Sequence, residues 1–339
     1  MSSNSAPSGK PRLADVAAAA GVSAMTVSRA LREPHRLLPQ TLQLILAKVE
    51  ELGYLPNASA RTLASRRSRI VAAVVPTLSY SVYAGTLQGL SDGLRAADFE
   101  LMLGDSGYSV RRERSLVEAF IARGVDALVL TGVEHHRATR ELVAAHQLPT
   151  AEIWDLGRKP LGLGIGFSNR AAGRAVGEML AALSRSQWAF LGSRPAREHR
   201  SRKRMEGFRK AAEDAGLPRP VDAFVENGML IQEARAAARR LLRTNSGVDA
   251  VFCANDVLAC GLLQVATECG RMVPDDLAVV GFGDFDIAGI VSPALTTVRI
   301  PGYRMGLVAA EALLLQTTGG SPAARTVDLG FEIVRRETA

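Results

Sequence analysis

The chain has 339 residues, a formal net charge of +7, and hydrophobic and charged fractions of 47% and 22%. Those fractions exclude a disordered or membrane-embedded protein, and the length allows one large or two to three ordinary domains around a sizeable core. The excess charge is concentrated: residues 1–69 hold ten Lys or Arg against four acids, as expected of a surface that meets phosphates, although a merely solvated basic face would read the same way. The opening MSSNSAPSGKP lacks the apolar run of a secretory signal, so the expected location is cytoplasmic and nucleoid-associated, with no membrane partner.

Leu13 to Arg32 reads LADVAAAAGVSAMTVSRALR. Leu13, Val16, Ala17 and Ala20 recur at helical spacing and give a first short helix one buried stripe. Gly21 supplies the positive φ that stops it, and Ser23 is a natural N-cap for a second helix. There Val27, Ala30 and Leu31 face the core. Ala24, Met25, Thr26, Ser28 and Arg29 are left outward, a surface suited to the major groove. An ordinary helical hairpin is the alternative for any one fragment of this run. Gln40 to Leu52 forms a third helix with Leu42, Ile45, Leu46, Val49 and Leu52 on one face, and Gly53 ends it.

The spacing resembles the LacI-type helix-turn-helix pattern, matched by Asp15, Val16, Ala17, Ala20, Gly21, Val22, Ser23, Thr26, Val27, Ser28 and Arg29. The resemblance implies that Arg29, Met25 and Ala24 read base edges of a near-palindromic operator, with Thr26 and Ser28 on the backbone. Arg12 stands where this family usually has Thr, which alters one phosphate contact. Tyr54 to Asn57 resembles the family's headpiece boundary. Residues 58–69 then correspond to a hinge that folds on DNA and inserts a leucine into the minor groove. Asn57, Ala60 and Leu63 match that hinge, and a plain linker is the alternative. The implied domains are a DNA-binding headpiece at 11–57, the hinge at 58–69 and a core at 70–339.

From Ile70 short apolar runs alternate with amphipathic stretches. Strands are expected at 70–75, 101–103, 127–130, 150–153, 162–167, 188–191, 250–253 and 277–280. Helices are expected at 84–97, 111–123, 138–146, 171–183, 202–215, 232–242, 257–269 and 303–317. Such alternation predicts an α/β fold with parallel sheets covered on both faces, in two units near 70–168 and 169–290, after which the chain recrosses. No G-x-G-x-x-G opens a helix, no cofactor is indicated, and Cys253, Cys260 and Cys269 lack metal or redox spacing. The five histidines are scattered and no catalytic constellation is present. An enzyme is therefore disfavoured.

The core resembles the two-lobed periplasmic-binding-protein-like domain of the same family over about residues 11–337. That likeness implies an effector cleft at the strand ends, lined by Ser79, Ser81 and Tyr83, by Phe167 and Asn169, by Arg204, by Asn255 and Asp256, and by Phe282 and Asp284. Arg204, in the family's R-x-x-G-[FW] pattern, would grip a carboxylate or vicinal hydroxyls; a surface arginine is the alternative. Ala24-Met25-Thr26, Gly107-Tyr108 and Asp328-Leu329-Gly330-Phe331 resemble the gluconate-repressor branch, implying a sugar acid as effector. Ser168 and Gly283 depart from the common acids or polar residues at their positions, and their loss favours an anionic guest. The reading is a dimeric or tetrameric allosteric repressor. A solute-binding protein without a DNA role, and a regulator answering to a neutral or phosphorylated sugar, remain open.

Overall fold

The computed structural model describes residues 11–55, 67–78, 81–157, 159–194, 198–226 and 230–339. The expected hinge residues Asn57, Ala60 and Leu63, and Ser79 of the cleft, lie outside them. By contact the chain divides into two units, 1–68 and 69–339.

The first unit holds helices α1 (Leu13–Ala20), α2 (Ala24–Arg32) and α3 (Pro39–Glu51). Gly21 adopts φ 65° at the end of α1, and the Val22 N–H donates back to the Ala17 carbonyl at 3.0 Å. This closure turns the chain sharply enough to start α2 two residues later. Ser23 caps α2, its hydroxyl accepting from the Thr26 N–H at 3.1 Å. At the start of α1 the Arg12 N–H donates to the Asp15 carboxylate at 2.7 Å. Arginine has no acceptor to return, so only half of a capping box forms. Val16, Val27 and Ile45 are fully buried at the centre of the three helices, each worth roughly 1.5–3 kcal/mol of burial. Leu46, expected on the same face as Ile45, is instead 46% exposed. Leu42, Val49 and Leu52 complete the stripe without it.

The second unit contains two parallel-dominated sheets. One lobe is built from β1 (Ile70–Val75), α4 (Ala84–Arg95), β2 (Glu100–Asp105), α5 (Val110–Ala122), β3 (Ala127–Thr131), α6 (Arg137–Ala145), β4 (Thr150–Ile153) and β5 (Leu163–Gly166). The chain crosses at Phe167 to α7 (Asn169–Ala182), β6 (Trp188–Ser193), α8 (His199–Asp214), β7 (Val221–Val225), α9 (Ile231–Thr244) and β8 (Ala250–Cys253). The second lobe continues with α10 (Asp256–Glu268), β9 (Ala278–Gly283), α11 (Asp286–Ile290) and β10 (Thr296–Arg299). It then returns for α12 (Gly302–Thr317) and β11 (Thr326–Asp328), and crosses a third time to β12 (Glu332–Val334). The six-stranded sheets run β2-β1-β3-β4-β5-β11 and β7-β6-β8-β9-β10-β12. The two orders are equivalent, and β12 alone among the paired strands runs antiparallel.

Period-two burial explains β1. Val71, Ala73 and Val75 enter the main core, while Ala72 and Val74 pack on the other face with Val117, Phe120, Leu128 and Leu130. Both faces are covered, so the strand is apolar throughout. The helices meet closely where glycine removes the side chain. A Cβ on Gly306 of α12 would collide with the Thr86 carbonyl of α4, and one on Gly173 of α7 with the Arg204 carbonyl of α8. The second contact brings the backbone of α8 at Arg204 against α7.

Candidate nucleic-acid interface and effector cleft

On α2, Ala24, Met25 and Arg29 are exposed, Met25 at 71%. Thr26 and Ser28 are half-buried, and the Thr26 hydroxyl shares a 2.8 Å hydrogen bond with the Ser23 cap. Thr26 is thus tied to the start of its own helix, and with Ser23 as the donor in that bond the Thr26 hydroxyl proton stays free to donate to a backbone phosphate. Arg29 forms no ion pair among the described residues, and a free guanidinium on an exposed helix can take two acceptors of one base.

In the core, a cleft lies where the carboxyl ends of the strands diverge. This is the position at which strand order reverses between β1 and β3, and doubly wound sheets leave room there for a ligand. Its lining includes Pro76, Ser106 and Tyr108 beyond β1 and β2, Glu113 of α5, Thr131 to Glu134 beyond β3, Asp155 beyond β4, and Glu198 to Arg200 from the other lobe. A run of buried aromatic rings also crosses between the lobes. Tyr83 meets Trp154 edge-on at 5.2 Å, Trp154 meets Phe167 at 6.2 Å, and Phe167 meets Phe282 at 6.0 Å. The Arg204 guanidinium covers Phe282 at 4.0 Å from the ring centroid.

Among the described residues, charge around this cleft is paired with one exception. Glu113 meets His135, Glu134 meets His199 and Arg202, Asp155 meets Lys203, and Glu198 meets Arg204. Arg204, 4% exposed, also donates to Asn169 Oδ1 at 2.6 Å and to the Ala254 carbonyl at 3.3 Å. Burial lowers its pKa, with Glu198 opposing.

Arg200 differs. It is 8% exposed, and its Nη2 donates at 2.6 Å to the neutral hydroxyl of Tyr83, while its Nη1 has no partner. No carboxylate lies within ion-pairing distance of it among the described residues. The Tyr83 phenol is held neutral because burial raises its pKa, against the pull of Arg200. Glu198 pairs with Arg204 and reaches Arg200 only through longer-range attraction. A buried charge without a counterion costs several kcal/mol, and an anion in the cleft removes that cost.

Comparison with known proteins follows the same division. Residues 12–57 match the family described as bacterial regulatory proteins, lacI family, and residues 177–339 match a periplasmic binding protein-like domain. The chain is 33% identical over 324 residues to the HTH-type transcriptional regulator GntR of Escherichia coli (strain K12), covering 96% of this chain and 97% of that one. It is 34% identical over 345 residues to the regulator GntR of Pseudomonas aeruginosa, covering 99% and 97%. This chain belongs to the LacI family of bacterial regulatory proteins. A crystal structure of a LacI-family transcriptional regulator from Silicibacter pomeroyi superposes with a TM-score of 0.91 at 28% identity, covering 97% of this chain and 99% of that one.

Within this LacI-family core the structure gathers Tyr83, Phe167, Asn169, Arg204 and Phe282 into one aromatic and guanidinium cluster. Ser81 lies in the short turn that leads to Tyr83. Asn255 is occupied as the cap of α10, accepting from the Leu258 N–H at 2.9 Å. Asp256 has no exposed surface; its carboxylate accepts from Thr297 at 2.5 Å and from the Phe285 N–H at 2.7 Å. Burial still raises its pKa to about 6. Asp284 is engaged by Arg299 and Arg336, both at 2.6 Å. Burial works to raise its pKa, but the two arginines outweigh it and the value falls. Ser168 caps α7, accepting from the Ala171 N–H at 3.1 Å. Acids are not scarce at this cleft, as Ser168 and Gly283 suggest; they are present and neutralised by cations. Sequence reasoning missed Arg200, Tyr108, Glu113 and Glu198. Arg200 and Arg204 are one helical turn apart, and that i, i+4 spacing within 194–204, which holds five arginines and a lysine, is the available signal.

Proposed function

We propose that this chain is a transcriptional repressor that binds a near-palindromic operator as a dimer and releases it when a sugar acid of the gluconate type occupies the cleft. The observation that carries the reading is the buried Arg200 with an unused Nη1 and a neutral partner. A ligand carboxylate would supply the missing counterion, and charge-assisted bonds to a guanidinium are among the strongest available. The GntR-named relatives and the resemblance to the gluconate-repressor branch support the same choice. Arg29, Met25 and Ala24 would read bases, with Thr26 and Ser28 on phosphates.

Release requires only that the ligand prefer the lobe arrangement that does not favour operator binding. A coupling of roughly 1–3 kcal/mol, about 5–150-fold in affinity, is the usual scale. Fluorescence anisotropy on a promoter fragment tests the reading, with gluconate, a keto-gluconate and phosphogluconate set against glucose and ribose. Loss of DNA binding with one of the acids is expected. A response to neutral sugars with none to any acid would overturn the acid assignment.

A further inference from the structure

The cleft also holds a carboxylate whose geometry the acid-binding reading does not use. Glu113, in the first turn of α5, is 90% buried at its side chain, and its small exposed part faces the cleft. Oε1 lies 2.9 Å from His135 Nδ1, and Oε2 accepts nothing from the described residues. The imidazole of His135 is itself fully enclosed. Its other nitrogen lies 3.2 Å from the Gly132 carbonyl and 3.4 Å from Glu152 Oε1, with Arg140 3.9 Å from that same oxygen. A ring set between two carboxylates donates from both nitrogens, which locks the Glu113 carboxylate in one orientation.

Nearby hydroxyls have their protons or lone pairs committed. Thr131 donates to the Val74 carbonyl at 3.0 Å, Ser106 to the Val75 carbonyl at 3.3 Å, and Ser109 accepts from the Arg112 N–H at 3.3 Å. Glu134, Asp155 and Glu198 are held by cations. Glu113 is thus a lining carboxylate with one oxygen fixed by its partner and the other free of any hydrogen bond among the described residues. From this geometry we infer that Glu113 is the hydroxyl-reading residue of the cleft, accepting hydrogen bonds from the polyol portion of the effector, with His135 as its positioning residue. The inference rests on the sugar-acid reading and deepens it: Arg200 takes the carboxylate, and Glu113 distinguishes a hydroxylated chain from a bare one. A ligand without hydroxyls would leave a desolvated carboxylate oxygen unpaired. The two carboxylates beside His135 outweigh the effect of its burial and hold it protonated, with a pKa of about 9.

Calorimetric titration of the full chain with gluconate and with hexanoate, a carboxylate without hydroxyls, tests this. Glu113→Gln should bind gluconate roughly ten- to hundredfold more weakly, keep its hexanoate affinity, and recover part of the loss as Glu113→Asp. Arg200→Gln should lose both ligands. Unchanged gluconate binding by Glu113→Gln, or equal losses for both acids, would overturn the inference. The first result leaves the acid reading intact; failure of the wild type to bind either acid would sink both.

Discussion

Among the described residues neither Arg29 in the headpiece nor Arg200 in the core has a carboxylate partner, yet their surroundings are opposite. Arg29 lies on an exposed helix face where water screens its charge, so leaving it unpaired costs little and keeps it free for a polyanion. Arg200 lies almost wholly buried among groups that are otherwise neutralised in pairs. There a single unmatched charge is expensive, and under the proposed function that expense would make the site selective for an anion. Under the proposed function, recognition of DNA would be spread over an exposed surface, whereas recognition of a small ligand would be concentrated in one unsatisfied buried group.

Breaking the charge balance of the cleft should produce the largest effect. Glu198→Gln removes the ion-pair partner of the buried Arg204, and a loss of about 3–5 kcal/mol in unfolding free energy is expected by denaturant titration. The next effect is on pH. His135 is raised from its ordinary 6.5 to about 9 by Glu113 and Glu152, so its contribution is full below about 6.5 and is lost as pH rises through about 9. With Arg140 also facing Glu152, the wild type should lose about 3 kcal/mol across that window relative to His135→Gln, measured as unfolding free energy against pH. In the headpiece the balance is reversed. Arg29→Ala should weaken operator binding by roughly 1–3 kcal/mol in anisotropy titrations. Its stability should stay within about 0.5 kcal/mol of wild type. Smallest of all, Met25→Ala should leave stability within about 0.5 kcal/mol, because the side chain is 71% exposed.

The headpiece was legible because its signals are local. Gly21, Ser23 and the apolar stripe through Val16, Val27 and Ile45 each act within one or two helical turns. Leu46 escaped because a periodic face is wider than the surface that neighbouring helices cover. In the core, long strands such as Ile70–Val75 announce themselves by composition, but β7, β10, β11 and β12 are three to five residues long with acids or basic residues among them. Their pairing depends on neighbours distant in sequence. The Asp328 to Phe331 stretch, noticed only as a resemblance, is the third crossing between lobes. The cleft was least legible. Arg202 and Lys203 turn toward Glu134 and Asp155 of the opposite lobe and Arg200 toward Tyr83, partners 48 to 117 residues away, while Arg204 turns inward to Asn169 and Glu198, 35 and 6 residues away.

The most direct test is release of a bound promoter fragment by gluconate, compared between the wild type and Arg200→Gln at one fixed salt concentration. Wild-type protein should leave the DNA as gluconate is added, and Arg200→Gln should bind the same fragment but hold it at every gluconate concentration. Equal release from both proteins would show that the unmatched buried charge does not select the effector.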